Sequence, residues 1–256
     1  MEQLTAVIIT LNEERNIGRC LESLVGVADE VVVVDAGSTD QTEAICLAQG
    51  VRFVRHSWQD YSAQKNYANS LASHAWVLSI DADEALSPRL RESILSLKRE
   101  GFAAGTAYEC NRLTCYCGHW VHHCGWYPDV CLRLWRREEA QWVGVVHEEL
   151  RFAAAVRRVH LQGDLHHYSY RSVAEHAAKT SRYALLAGEK AYAEGRRCGA
   201  AALWLKPAAT FVQNYVLRGG WRDGATGFTI CRMAAFYTFV KYARLRELSL
   251  TDAAAR

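Results

Sequence analysis

The strongest constraint on the fold is a rhythm in the first hundred residues. Continuous apolar runs, LTAVIIT (4–10), EVVVVD (30–35) and AWVLSID (75–81), alternate with segments whose apolar residues recur three and four positions apart. An apolar run of that length reads as a strand buried on both faces, and the longer period reads as a helix lying on the sheet. Strand and helix in alternation imply parallel strands joined by right-handed crossovers, hence an α/β sandwich. The spacing predicts a helix capped by Asn12 and carrying Ile17, Leu21 and Leu24, and a second started by Ser38 or Thr39 and stopped by Gly50. VRFVRH is a further strand, 64–73 a helix, and Pro88 opens another helix that carries Leu90, Ile94 and Leu97. Past residue 105 the periodicity weakens. TAYECNRLTCYCGHWV and VCLRLWRRE read as strands, and helical spacing returns from Ser172. Residues 1–170 are expected to form the α/β domain and 171–256 a helical C-terminal extension.

In such a sheet, ligands bind beyond the carboxyl ends of the strands. Three strands end there in polar chemistry: Asn12-Glu13, Asp35, and Asp81-Ala82-Asp83 followed by Glu84. These clusters are expected to converge on one crevice. Asp81 and Asp83, two apart at a strand end, point to the same side and can be aimed at one ion. Hard divalent cations take oxygen ligands, and Mg²⁺ is commonly held by one or two carboxylates plus substrate phosphates. The bland alternatives are a helix-start acid cluster before Pro88 and, for Asp35, a turn former in D-A-G-S.

Composition narrows the partners. Of 256 residues, 30 are Lys or Arg and 28 are Asp or Glu, but the charge is uneven. From Arg171 onward there are 14 basic and 6 acidic residues, against 16 and 22 before it. A basic tail on an acidic body suggests an anionic partner for the tail. Nine cysteines and a start, MEQLTAVIITLNEE, without a positive leader region suggest reduced thiols in the cytoplasm. Cys115, Cys117, Cys124 and Cys131 cluster with His119, His122 and His123, but not at zinc-finger spacing. Buried free thiols explain them as well.

Taken together, IITLNEERNI, VVVVDAGSTDQT, QKNYA and SIDADE, in this order and spacing, resemble the family 2 glycosyltransferases over about the first hundred residues. WYPDVCLRLWRR, WVGVVHEEL and LHHYSYRS look more loosely like a bacterial subgroup that adds a sugar, often glucose, to the lipopolysaccharide inner core. The resemblance implies the GT-A nucleotide-sugar-binding fold, a mostly parallel mixed sheet flanked by helices. It implies a UDP-sugar donor, a Mg or Mn ion, and inversion at the anomeric centre. Thr10 and Glu13 would line the nucleoside pocket and Asp35 would accept from the uracil ring. Lys65 would contact base or diphosphate. Asp83 would be the more direct metal ligand, with Asp81 towards the ribose or the metal's waters.

The catalytic base is less clearly marked, because this chain lacks the E-D pair usual in the family's second half. Glu148 in VHEE is the first candidate, since its apolar approach would part-desolvate it, and Asp129 in YPDV is the second. His147 is a candidate third metal ligand or phosphate donor, with His166 and His167 as weaker ones. Arg133, Arg136 and Arg137 could hold an anionic acceptor or the diphosphate. In the tail, Trp204, Phe211, Tyr215 and Trp221 mix with Lys206, Arg218 and Arg222, a pattern suited to a bilayer interface. Arg232 and Lys241 argue against a span in GATGFTICRMAAFYTFVKYA. The expected setting is therefore cytoplasmic and peripheral, on the inner face of the cytoplasmic membrane, with a glycolipid acceptor and no nucleic acid. A metal-dependent nucleotidyltransferase and an RNA-binding protein are the rival readings. The absence of a glycine-rich phosphate loop after the first strand opposes the former, and the acidic first half the latter.

Overall fold

A computed structural model describes residues 2–144 and 148–254. The chain forms two compact units: residues 1–112 with 129–168, and residues 113–128 with 169–256.

In the first unit β1 (Leu4–Thr10), β2 (Glu30–Asp35), β3 (Arg52–Arg55) and β4 (Trp76–Asp81) alternate with α1 (Ile17–Leu24), α2 (Thr42–Ala48) and α3 (Tyr61–Leu71). β5 (Glu84–Leu86) and α4 (Pro88–Glu100) follow, then β6 (Thr106–Tyr116), whose last residues enter the second unit with β7 (His119–Trp120). β8 (Val130–Arg136), β9 (Ala140–Val143), β10 (Glu149–Phe152) and β11 (Arg157–Tyr170) complete the strands. The sheet order is β3-β2-β1-β4-β8-β6-β11-β5, and β9 and β10 form a separate hairpin. β1 pairs in parallel with β2 and β4, whereas β8 adds antiparallel to β4. This is the mixed sheet of the GT-A fold.

The core explains why these runs are strands. Leu4, Ile8, Val33, Leu78 and Ile80 are buried on one face with Ile17, Leu21 and Leu24 of α1 and Leu90 and Ile94 of α4. Val7, Val32, Val34 and Val77 fill the other face with Trp135 and Trp142. Each large side chain buried this way contributes about 1.5–3 kcal/mol. Ser87 caps α4 through Leu90 N–H, and Pro88 sits in its first turn as expected.

Two predicted helix starts shift, for one reason. Asn12 does not cap α1. It sits at φ 56° and its Oδ1 accepts from Thr39 N–H at 2.9 Å. Nor do Ser38 or Thr39 start α2, which begins at Thr42. Ser38 Oγ accepts from Asn12 N–H (2.7 Å), Asp40 Oδ2 from Glu14 N–H (3.0 Å) and Thr42 Oγ1 from Glu13 N–H (2.8 Å). The polar residues of GSTDQT are thus spent on bracing the loop after β1.

The second unit is largely helical, with α5 (Val173–Ala193), α6 (Ala202–Val212) and α7 (Gly224–Ala254). Ser172 caps α5 through Glu175 N–H. α5 and α6 both pack on α7. Gly188 permits the first contact: a Cβ there would meet Lys241 C=O at 2.8 Å.

Candidate active site

A cleft of about 430 Å³ opens beyond the carboxyl ends of β1 and β4. It is lined by Thr10 at the end of β1 and Glu13 beyond it, Trp58 before α3, Tyr61, Gln64 and Lys65 on α3, Asp81 at the end of β4 and Asp83 beyond it, Glu148, and His167 on β11. Seven of these are candidates singled out from the sequence: Thr10, Glu13, Lys65, Asp81, Asp83 and Glu148, with His167 as a weaker one.

α3 presents Lys65 because Asp60 caps it at Ala63 N–H and because Asn66 clamps it to β9. Asn66 Nδ2 donates to Trp142 C=O (2.8 Å) and Asn66 Oδ1 accepts from Trp142 N–H (2.9 Å). The Lys65 side chain is only 6 % exposed. Its Nζ lies 3.4 Å from Asp81 Oδ1, 3.3 Å from Glu148 Oε1, and over the Trp142 ring. Beneath it lies a second cation. Arg133, also buried, places Nη2 3.2 Å from Asp81 Oδ2 and donates to Glu84 Oε1. Glu84 Oε2 accepts from Asp81 N–H at 3.0 Å, and Arg112 Nη1 stands 3.6 Å from Glu84. Burial pushes the Asp81 carboxyl up, but Arg133 and then Lys65 outweigh it and hold Asp81 well below the usual carboxylate range. For Glu84 burial prevails over Arg133, and its carboxyl lies above the ordinary value. Arg133 is therefore engaged by the carboxylates behind this cleft. Arg137 is likewise engaged, donating to Ala72 C=O.

Asp83 faces a different partner. His167 Nε2 lies 3.3 Å from its Oδ2. β11 reaches this point because it pairs with β5, His167 opposite Glu84, and because Tyr168 N–H donates to Asp83 C=O at 2.9 Å. Gly163 allows the approach. At φ 101° it passes so close to α4 that a Cβ would stand 2.3 Å from Leu90 N. A carboxylate oxygen and an imidazole nitrogen 3.3 Å apart nearly match the spacing, about 3 Å, of two neighbouring ligands on an ion with ~2.1 Å bonds. Among the described residues no cluster of three or more His, Cys, Asp or Glu side chains is arranged to hold an ion. An ion at this pair would have to take its remaining ligands from phosphate and water, and the imidazole nitrogen suits a transition-metal ion such as Mn²⁺ better than Mg²⁺.

Thr10 Oγ1 is buried in the cleft wall with no hydrogen-bond partner among the described residues. Glu13 accepts from Asn16 Nδ2 at 2.8 Å and is set at the rim by the loop brace described above. Asp35, only 1 % exposed, does not line this cleft. Its carboxylate accepts from Gly37 N–H, Ser38 N–H and Ser38 Oγ, which is turn chemistry.

Glu148 lines both this cleft and a second one of about 430 Å³ that shares Lys65 and Asp81 and adds Arg112, Arg133, Trp142 and Arg158. Among the described residues its charged neighbour is the Lys65 ammonium at 3.3 Å, and part of the apolar approach VGVV lies outside them. Asp129 lines neither cleft and pairs with Arg112 Nη2 at 2.8 Å. His147 lies outside the described residues. The cysteines and histidines of 115–131 do not assemble: Cys131 faces Cys110 across two strands, and His123 and Cys124 turn to Asp223. His167, Gln64, Trp58 and Tyr61 join the site without a strong sequence signal, since only proximity in the fold gathers them.

Comparison with known proteins identifies the family. Residues 5–144 match the model of glycosyl transferase family 2. An uncharacterized glycosyltransferase of Rickettsia typhi is 30% identical over 263 residues, covering 98% of this chain and 89% of that one. The lipopolysaccharide core biosynthesis glycosyltransferase LpsC of Rhizobium meliloti is 31% identical over 256 residues, covering 95% and 92%. Among solved structures, glucosyl-3-phosphoglycerate synthase from Mycobacterium tuberculosis, in complex with Mn²⁺, UDP and glucosyl-3-phosphoglycerate, aligns with a TM-score of 0.46 at 18% identity, covering 68% of this chain and 74% of that one. The family match and the full-length relatives supersede the nucleotidyltransferase and RNA-binding readings: this chain belongs to the family 2 glycosyltransferases.

Proposed function

We propose that the protein is a metal-dependent, inverting hexosyltransferase that moves glucose from UDP-glucose onto a glycolipid of the lipopolysaccharide inner-core type, working at the inner face of the cytoplasmic membrane. The observation that carries this reading is convergence. Thr10, Glu13, Lys65, Asp81, Asp83 and Glu148 come from four separate stretches of chain and line one cleft at the strand ends. The similarity to LpsC supports the acceptor class.

In this reading Thr10 and Glu13 bind the nucleoside and Lys65 faces the diphosphate. A divalent ion held by Asp83 and His167 would neutralise the charge that gathers on the departing diphosphate. Asp81, kept ionised by Arg133 and Lys65, faces the ribose or the ion's waters. Glu148 stands where the two clefts meet, so an acceptor hydroxyl entering from the second cleft would meet a carboxylate before it meets the sugar. As that oxygen bonds to the anomeric carbon, the carbon–oxygen bond to the diphosphate breaks and the hydroxyl proton passes to Glu148. Asp129, held by Arg112, is the second choice for this step.

Incubation with UDP-glucose, Mn²⁺ and a truncated lipopolysaccharide acceptor, followed by NMR of the product, tests the reading. A β-linked glucose is expected from the α-linked donor. An α-linked product would overturn inversion, and failure with UDP-, GDP- and ADP-sugars alike would overturn the donor class.

A further inference from the structure

The second unit carries a surface that the catalytic reading does not use. Along α6 and the single π turn that extends it (Gln213–Leu217), two faces differ sharply. Thr210, Phe211 and Tyr215 turn towards α7: Thr210 Oγ1 lies 3.1 Å from Thr238 Oγ1, and Phe211 and Tyr215 stack on each other and against Phe228. The opposite face is exposed and almost wholly apolar. Trp204 is 79%, Leu205 67%, Val212 49%, Val216 54% and Leu217 77% exposed. Trp221, just beyond, is 58% exposed. An ordinary surface helix shows the reverse pattern.

What would cover this face is indicated by its borders. From Arg196 to Arg222 there are five basic residues and no acidic one. Lys206, Arg218 and Arg222 are all exposed, and Trp204 and Trp221 mark the two ends of the stripe. Apolar side chains between amphipathic tryptophans, with cations at the edge, match the depth profile of a bilayer surface bearing anionic headgroups. No helix among the described residues is long and apolar enough to cross a membrane, so the face suits lying in the interface rather than spanning it.

We infer that the outer face of α6 is a membrane-insertion surface, seated in the headgroup layer of an anionic bilayer with Trp204, Leu205, Val212 and Leu217 in the acyl boundary. This rests on and deepens the membrane-surface reading above and narrows its residue set: Phe211 and Tyr215 are half-buried against α7.

The test is cosedimentation of the full chain with phosphatidylcholine vesicles with and without 30 mol% phosphatidylglycerol, roughly the charge of an anionic leaflet. The wild type should bind the anionic vesicles, and less so as salt rises. Trp204→Gln with Leu217→Gln should lower binding at least about tenfold, because two large side chains no longer leave water. Lys206→Glu with Arg222→Glu should abolish the preference for anionic lipid. Each variant should keep the wild-type melting temperature and UDP titration, because the residues are exposed and remote in sequence from the cleft residues. A wild type that stays in the supernatant overturns the inference, as does a double Gln variant that binds equally. So does a wild-type dimer in solution that the Gln variant dissolves while neither binds vesicles. Vesicle binding without any sugar transfer would leave this inference standing and defeat the proposed activity instead.

Discussion

The floor and the rim of the cleft hold carboxylates two residues apart in the chain, yet their surroundings differ. On the floor, Asp81 and Glu84 are locked between Arg133, Lys65 and Arg112. On the rim, Asp83 faces the single imidazole of His167 across 3.3 Å. The floor is an electrostatic network whose charges are answered within the protein, while the rim pairs one carboxylate with one imidazole. In the proposed function the two acids of D-A-D would divide the labour: Asp81 would set the field of the site and Asp83 would face the ion.

This contrast can be broken by experiment. Glu148→Gln and Asp83→Ala should each lower transferase turnover by about 100- to 10,000-fold, the usual worth of a positioned acid–base or charge-stabilising group. Both should melt close to the wild type. If either unfolded the protein, the rim would be structural too.

Arg133→Met should do the opposite, costing about 3–5 kcal/mol of stability by stranding buried carboxylates. The pH dependence fixes the sign. In the wild type, Asp81 has a depressed folded-state value, so its contribution is present above the unfolded carboxylate value and lost only as pH falls through the lower folded one. Without Arg133, the Glu84 carboxyl, already raised by burial, should titrate further above its unfolded value, while Asp81 keeps only Lys65 to hold it down. The variant should then be least handicapped in acid and lose stability as pH rises from 5 to 8. Denaturant melts across that range read this directly, and a pH-independent deficit would contradict the network.

Asn66→Ala, which frees β9 from α3 without touching a ligand, should cost about 1–3 kcal/mol through unpaired backbone groups at Trp142. The smallest effect belongs to Thr10→Val. The hydroxyl has no partner among the described residues, so stability should hold or rise slightly. UDP should bind several-fold more weakly, the worth of one hydrogen bond at about 0.5–1.5 kcal/mol. Unchanged affinity would remove Thr10 from the nucleoside pocket.

Much of this was legible in the chain. The apolar runs ending in Asp35 and Asp81 announce parallel strands, because continuous burial on both faces leaves few other folds. That logic also places Thr10, Glu13, Asp81 and Asp83 at one end of the sheet. Three features were not legible. β11 breaks its alternation with Gly163, Asp164 and paired histidines, so nothing local marks it as the strand that brings His167 to Asp83. GSTDQT looks like helix capping, but its side chains cross to the neighbouring loop, a contact of long sequence separation. Arg133 sits in a visibly basic stretch, and only burial decides that it serves Asp81 and Glu84. The tail's composition suggested an interface, but which aromatics face outward depended on packing against α7.

The most direct test of the central claim is calorimetric titration with UDP, with and without Mn²⁺, of the wild type, Asp83→Ala and His167→Ala. The account predicts Mn²⁺-enhanced binding in the wild type, loss of that enhancement in both variants, and residual metal-independent binding that survives. Equal metal enhancement in all three proteins would contradict it.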